Sequence, residues 1–263
     1  MRIALGLEYD GSVFCGWQTQ PTGCGVQDHL ERSLHGFTQE RVETTAAGRT
    51  DAGVHATAQV VHFDTEAVRE ANSWVRGPNA TLDAGVRVLW SARVPDDFHA
   101  RYSARSRTYR YLLLDAPVAP AVLRSRVGWH HRSLDAARMA EGAQALVGEH
   151  DFSAFRDAQC QAKSPVRNLT GVIVERRGGL VVVTLTANAF LHKMVRNIVG
   201  ALVYVGDGRE KPGWIGELLA TRDRRESAPT FAPDGLYLAA ITYDSAFGLP
   251  AFPDHPLLDP IAP

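Results

Sequence analysis

Two β-type segments, VETTA (42–46) and TAQVVHF (57–63), flank the stretch AAGRTDAGVHA (46–56) with no helix between them. A strand–loop–strand favours an α+β fold over parallel βαβ units, whose strands need long, usually helical crossovers. The rest of the chain reads the same way. RIALGLEY (2–9), VRVLWSARV (86–94) and TYRYLLL (108–114) have strand character, and Val26, Leu30, Leu34 and Phe37 recur every three to four residues, as in an amphipathic helix over 26–37. Further on, a helix near 134–147 is expected to end at Gly148, with strands following at 168–176 and 180–187. Asn188 is expected to cap a helix over 189–205, Pro212 to open the short helix PGWIGELLA, and GLYLAAITY (235–243) to be the last strand. Each half thus holds strands and helices, residues 1–104 and 105–245. A Pro-rich tail, 246–263, is expected to be extended or loosely held.

The length of 263 residues suits one large domain or two moderate ones. No uncharged apolar run reaches the roughly 18 residues of a membrane span, and Glu8 and Asp10 come too early for a signal peptide's apolar region. Cys15, Cys24 and Cys160, odd in number and scattered, read as free thiols in a reducing compartment. With no CxxC or HExxH spacing, neither a zinc site nor any other metal is expected, and the class that emerges is a soluble cytoplasmic protein. A net charge of −1 argues against a uniformly basic surface. Residues 99–132, however, carry seven arginines against one acid, Asp115, a local charge of +6 that predicts a confined basic surface.

Asp51 is the first candidate for chemistry. Gly48 and Gly53 beside it can adopt backbone conformations closed to other residues, and Asp-Ala-Gly is also common turn chemistry. A plain turn has no need of Arg49, Thr50 and His55 as well. An aspartate is ionised at pH 7 without help, so a functional Arg49 would orient the carboxylate or touch phosphate rather than activate it. In a strand, Arg107, Tyr109 and Tyr111 point to one face, which suits either a core position or a nucleotide, with cations for phosphate and a ring for the base. On the 189–205 helix, His192, Lys193, Arg196 and Asn197 form an acid-free polar face, either solvated or touching phosphate. His55, His62 and His99 match no metal spacing and read as structural histidines.

YDGSVFCGWQ, AAGRTDAGVHATAQVVHF, VPDDFHARYSA, RTYRYLL, FLHKMVRNIVGAL and GLYL occur in this order. The series resembles the bacterial tRNA pseudouridine synthase A family from Tyr9 to about Tyr243, with GRTDAGVHA its most specific segment. The resemblance implies two α+β halves sharing a mixed, mostly antiparallel sheet with a basic cleft between them, and a homodimer that binds the tRNA anticodon stem-loop. It implies isomerisation of uridine to pseudouridine at positions 38, 39 and 40 of tRNA, with base flipping and without cofactor or metal. By the same resemblance the catalytic aspartate falls on Asp51 and the substrate-binding residues on Tyr109 and Arg49, with Arg107, Lys193 and Arg196 as possible RNA contacts. Residues 19–27, 225–235 and the tail depart from the pattern, which leaves their contacts open. The alternatives are a non-catalytic tRNA-binding or folding module and a carboxylate-dependent hydrolase, which would lack a second well-placed acid.

Overall fold

The computed structural model describes residues 1–258, so the last five positions of the expected tail, 259–263, lie outside the described residues. The chain divides into two compact units, Met1–Arg105 with the chain from Tyr237 onward, and Ser106–Leu236. Each unit is α+β.

In the first unit β1 (Arg2–Tyr9) lies between β3 (His55–Asp64) and β4 (Val86–Val94), antiparallel to both. A two-residue strand, β2 (Thr45–Ala46), pairs antiparallel with β3. β10 (Leu236–Thr242), assigned from the sequence to the second half, joins the first unit, where Tyr237 and Leu238 pair in parallel with His55 and Ala56. Helix α1 (Val26–Thr38) forms because Val26, Leu30 and Leu34 fall on one stripe, all fully buried. Each such side chain contributes about 1.5–3 kcal/mol by leaving water. Its first turn is anchored by the Asp28 carboxylate, which accepts the Gly25 N–H at 2.9 Å. A short helix, α2 (Ser73–Asn79), packs beside it, with Ser33 Oγ donating to the Pro78 carbonyl at 2.9 Å and Trp74 lying edge-on to Phe37.

The expected loose tail is a correction. Phe247, Leu249 and Phe252 pack against a buried cluster that includes Trp90 and Phe98, and Leu258 is 2% exposed. The prolines interrupt regular structure there, but the apolar side chains between them still cover aromatic surface.

In the second unit β5 (Ser106–Asp115), β9 (Leu180–Ala187), β8 (Val166–Arg177) and β7 (Gly148–Asp151) pair in that order, all antiparallel, and β6 (Gly128–His130) adds to β5 in parallel. Its helices are α3 (Ala136–Ala143), α4 (Met194–Gly206) and α5 (Trp214–Thr221). The Asp135 carboxylate caps α3, accepting from the Ala137 and Arg138 N–H groups. The helix stops earlier than expected, continuing as a 3-10 turn to Leu146, and Gly148 opens β7 rather than capping a helix. Arg176 clasps Asp115 with both guanidinium nitrogens at 2.8 and 2.7 Å, which holds this carboxyl below the usual range and ties the end of β5 to β8.

His62 on β3 gives the fold a pH dependence. It is 6% exposed, and its Nδ1 accepts the Ala100 N–H at 3.2 Å. Burial first, then the positive charges of His99 and Arg2, push its pKa down to about 4. The folded protein therefore refuses a proton that the unfolded chain takes near pH 6.5. Its contribution is fully present above that pH and is lost as pH falls toward 4, at up to about 1.4 kcal/mol per pH unit. Melting of wild type and His62→Gln between pH 7 and 5 is expected to show the smaller loss in the variant; parallel curves would remove His62 as a source.

Candidate active site

The loop between β2 and β3 contains little that is apolar, and polar ties hold it instead. Gln59, fully buried on β3, donates from Nε2 to the Gly48 carbonyl at 2.6 Å and accepts the Gly48 N–H at 3.3 Å through Oε1. The same Nε2 reaches the Tyr9 hydroxyl at 3.3 Å, which in turn bonds the Thr50 hydroxyl at 2.8 Å. Burial pushes the Tyr9 phenol up to about 12, so it stays neutral. The Thr50 carbonyl accepts from the Trp17 N–H at 2.9 Å, and the Gly53 N–H donates to the Gly11 carbonyl at 3.2 Å. A further bond from the Val54 N–H to the Asp51 carbonyl, 3.1 Å, closes the turn, and Gly53 completes it with a φ of +81° that a larger residue would resist. Gly48, by contrast, has no positive φ. Each tie is worth about 1 kcal/mol net and more if one partner is left buried and unmade. The result is an alternation in which Thr50 is buried, Asp51 half-buried and Arg49 exposed.

A second segment, residues 10–17, backs the loop. Gly16 has a φ of +97°, and a Cβ there would lie 2.9 Å from the Thr50 carbonyl oxygen, 3.0 Å from the Ala52 nitrogen and 3.2 Å from the Asp51 carbonyl carbon. The imidazole of His55 is buried at the start of β3, accepts the Gly11 N–H at 3.1 Å and stacks on Tyr237 at 4.7 Å. Here the cysteine reading is corrected. Cys15 and Cys24 form a disulfide, their Cα atoms 5.4 Å apart, and only Cys160 is a free thiol. The turn through Pro21–Gly23, with the Gly23 N–H donating to the Gln20 carbonyl, folds the two cysteines together.

In the second unit Arg107, Tyr109 and Tyr111 do share one face of β5, and all three are buried. Tyr111 donates to the Ala232 carbonyl at 2.9 Å, Arg107 Nη1 donates to the Asn188 carbonyl at 2.9 Å, and Tyr109 meets the Phe190 ring edge-on at 5.0 Å. The helix expected over 189–205 begins only at Met194, because Lys193 takes a left-handed conformation with φ of +57°. Asn188 therefore caps no helix; its side-chain oxygen accepts the Ala189 and Asn168 N–H groups. Lys193 pairs with Asp157 at 2.8 Å, and Arg196 Nε donates to the Phe231 carbonyl at 2.9 Å. Asn197 does not belong to a solvated face. It is fully buried, donating to the Phe155 carbonyl and accepting from Arg224 and the Thr230 hydroxyl. The arginine-rich stretch is likewise partly structural, since Arg107 is buried and Arg105 pairs with Asp244.

The sequence profile described as tRNA pseudouridine synthase matches residues 7–103 and 143–244. This chain belongs to the tRNA pseudouridine synthase family. Its relatives named tRNA pseudouridine synthase A include that of Herminiimonas arsenicoxydans, 55% identical over 253 residues, covering 95% of this chain and 92% of the relative. Those of Bordetella avium, 57% identical over 251 residues, and Methylobacillus flagellatus, 55% over 250, each cover 95% of this chain and 94% and 96% of the relative. The protein is an isomerase of tRNA uridine.

As a tRNA pseudouridine synthase, the chain carries its candidate carboxylate on the loop that the sequence singled out. The supports of that loop are less legible: Tyr9, Trp17 and Gln59 look like ordinary strand and loop residues until the fold sets them behind Thr50. All three lie in segments that carry the family resemblance, and a glutamine inside the apolar run of β3 must find partners when buried, but neither signal says which groups they hold. A cavity of about 640 Å³, lined by Gln27, Glu31, His35, Arg41 and their neighbours, does not include Asp51. Among the described residues no group of three or more His, Cys, Asp or Glu could hold a metal ion, and no helix is long and apolar enough to cross a membrane.

Proposed function

We propose that this enzyme isomerises uridine to pseudouridine at positions 38, 39 and 40 of the tRNA anticodon stem-loop, with Asp51 as its catalytic carboxylate. The observation that carries the reading is the Asp51 loop itself. A short, half-buried carboxylate is presented on a backbone tied down on both sides, by Gly48 and Thr50 before it and Gly53 after it. Such preorganisation is what a reaction at a crowded sugar carbon requires.

A base stacked in a stem is out of reach, so the target nucleotide is first rotated outward, at a cost of a few kcal/mol. Arg49, exposed two residues before Asp51, fills the vacated space and contacts phosphate. Two routes then balance. Asp51 attacks C1′ as the C1′–N1 bond breaks, and the turned-over uracil displaces it through C5. Alternatively Asp51 takes the C2′ proton as the base leaves, and gives it back to C2′ as C5 attacks C1′ of the glycal so formed. Either way C5 finally loses its proton and N1 gains one. Deuterium at C2′ slows only the second route. Tyr109 stacks on the detached uracil, while Arg107, Lys193 and Arg196 supply positive charge toward the RNA backbone. No step calls on a cofactor or metal. A homodimer acting in the cytoplasm completes the proposal.

The test is direct. Unmodified tRNA treated with the enzyme, then with a carbodiimide and mild alkali, retains adducts only on pseudouridine, and these stop a reverse transcriptase. Stops mapping to positions 38–40 are expected. Bound tRNA without stops would point instead to a binding module. A second prediction concerns Arg49: its replacement by alanine is expected to raise KM and to reduce the salt slope of tRNA binding by about one. An unchanged slope would turn Arg49 away from the RNA.

A further inference from the structure

We propose that Cys15 and Cys24 form a reversible thiol–disulfide site that sets the order of the Asp51 loop, exchanging electrons with disulfides and dithiols of the glutathione or thioredoxin class. The consequence for turnover rests on the function proposed above. Cys15 is exposed and Cys24 half-buried, so a thiol reagent reaches the bridge from solvent. The bridge closes a compact turn whose ends are already joined by the Cys15 N–H donating to the Cys24 carbonyl at 3.0 Å. Within it the Gln20 N–H donates to Asp28, and the Thr22 hydroxyl reaches the Cys24 sulfur at 3.0 Å.

This closed turn leads straight to the catalytic loop. Gly16, next to Cys15, packs against the backbone of residues 50–52, and Trp17 donates to the Thr50 carbonyl. The same two residues are tied on the other side to the start of α1, where Val26 and Gln27 donate to the carbonyls of Gly16 and Trp17, each at 3.0 Å. A covalent link between residues 15 and 24 thus constrains the strip of backbone on which the Asp51 loop rests. Cutting it restores freedom to the unlinked chain.

The chemistry is ordinary exchange. In oxidation one cysteine thiolate attacks a glutathione disulfide, releasing glutathione thiolate, and the second cysteine displaces a second glutathione from the mixed disulfide. Two cysteine thiols lose two electrons and two protons, and one small disulfide becomes two thiols. A dithiol reductant reverses each step and is itself oxidised. Cys160 lies in the second unit and takes no part.

The full-length protein is compared after oxidation by glutathione disulfide, after reduction by dithiothreitol, and as the Cys15→Ser/Cys24→Ser variant. Three readouts are taken: alkylatable thiols in the denatured protein, hydrogen exchange of the Trp17, Gly53 and Val54 amides, and pseudouridine formation. Oxidised protein is expected to show one alkylatable thiol and reduced protein three. Reduction is expected to speed exchange at those amides by roughly tenfold and to lower kcat several-fold. The variant keeps only Cys160, so it should show one alkylatable thiol and should match the reduced form in amide exchange and kcat under either treatment. Three thiols after oxidation, equal exchange in the two forms, or equal kcat in two active forms would each overturn the proposal. If neither form modifies tRNA, the proposed function fails instead, while thiol count and amide exchange still decide the redox site.

Discussion

Replacing Asp51 by asparagine is expected to lower turnover by on the order of 10³-fold or more while tRNA affinity stays within a few-fold. The amide is nearly the size of the carboxylate. The bonds through Gly48, Thr50, Gly53 and the Asp51 backbone carbonyl survive the change. What disappears is a negative oxygen able to attack C1′ or take a proton from C2′. Single-turnover rates and equilibrium binding with unmodified tRNA separate the two quantities. Near-normal turnover would remove Asp51 from the reaction. A parallel collapse of affinity would make it a binding residue.

The second large effect is expected at Gly16→Ala. A left-handed backbone costs a residue with a Cβ about 1–2 kcal/mol. Here that Cβ would also meet the Thr50 carbonyl oxygen, the Ala52 nitrogen and the Asp51 carbonyl carbon at 2.9–3.2 Å, and all three are backbone atoms that cannot rotate aside. The loop must move, and a displacement of about 1 Å at a catalytic group is enough to cost on the order of 10² in rate. The expected signature is a folded protein whose Tm is lower by several degrees and whose kcat falls far more than its affinity for tRNA. Gly36→Ala is the contrast. It lies on the exposed side of α1 with nothing within 4 Å of the added carbon, so activity is expected to be unchanged and stability to rise by about 0.5–1 kcal/mol. Equal behaviour of the two variants would refute the close backing of the loop by residue 16.

Period-two alternation and buried apolar runs made most strands readable. The spans read as 2–9, 86–94 and 180–187 are the observed β1, β4 and β9. Strands of three or four residues, β6 and β7, are too short to show a period. α2 was hidden by Gly77 and Pro78 within it. The start of α4 is masked in the sequence because Phe190 and Leu191 continue the apolar spacing outside the helix, and Leu191 is buried all the same. The Cys15–Cys24 bridge escaped because an odd cysteine count reads as free thiols, whereas the pairing depends on the turn between them. At the candidate site Asp51 and Arg49 were legible from their own segment. The groups that steady them were not: Tyr9 and Thr50 are separated by 41 residues, and Gln59 and Tyr9 by 50. A local pattern can announce a reactive side chain, but its support comes from parts of the chain that only tertiary folding brings near.

The measurement that bears most directly on the account is tritium release. Unmodified tRNA carrying tritium at C5 of its uridines is incubated with the enzyme in EDTA, beside the same tRNA with cytidine at positions 38–40. Tritium should pass to water from the first tRNA, in proportion to its uridines at those positions, and not from the second. Release that continues after the substitution would place the reaction elsewhere in the tRNA, and none from either, with binding intact, would contradict isomerisation itself.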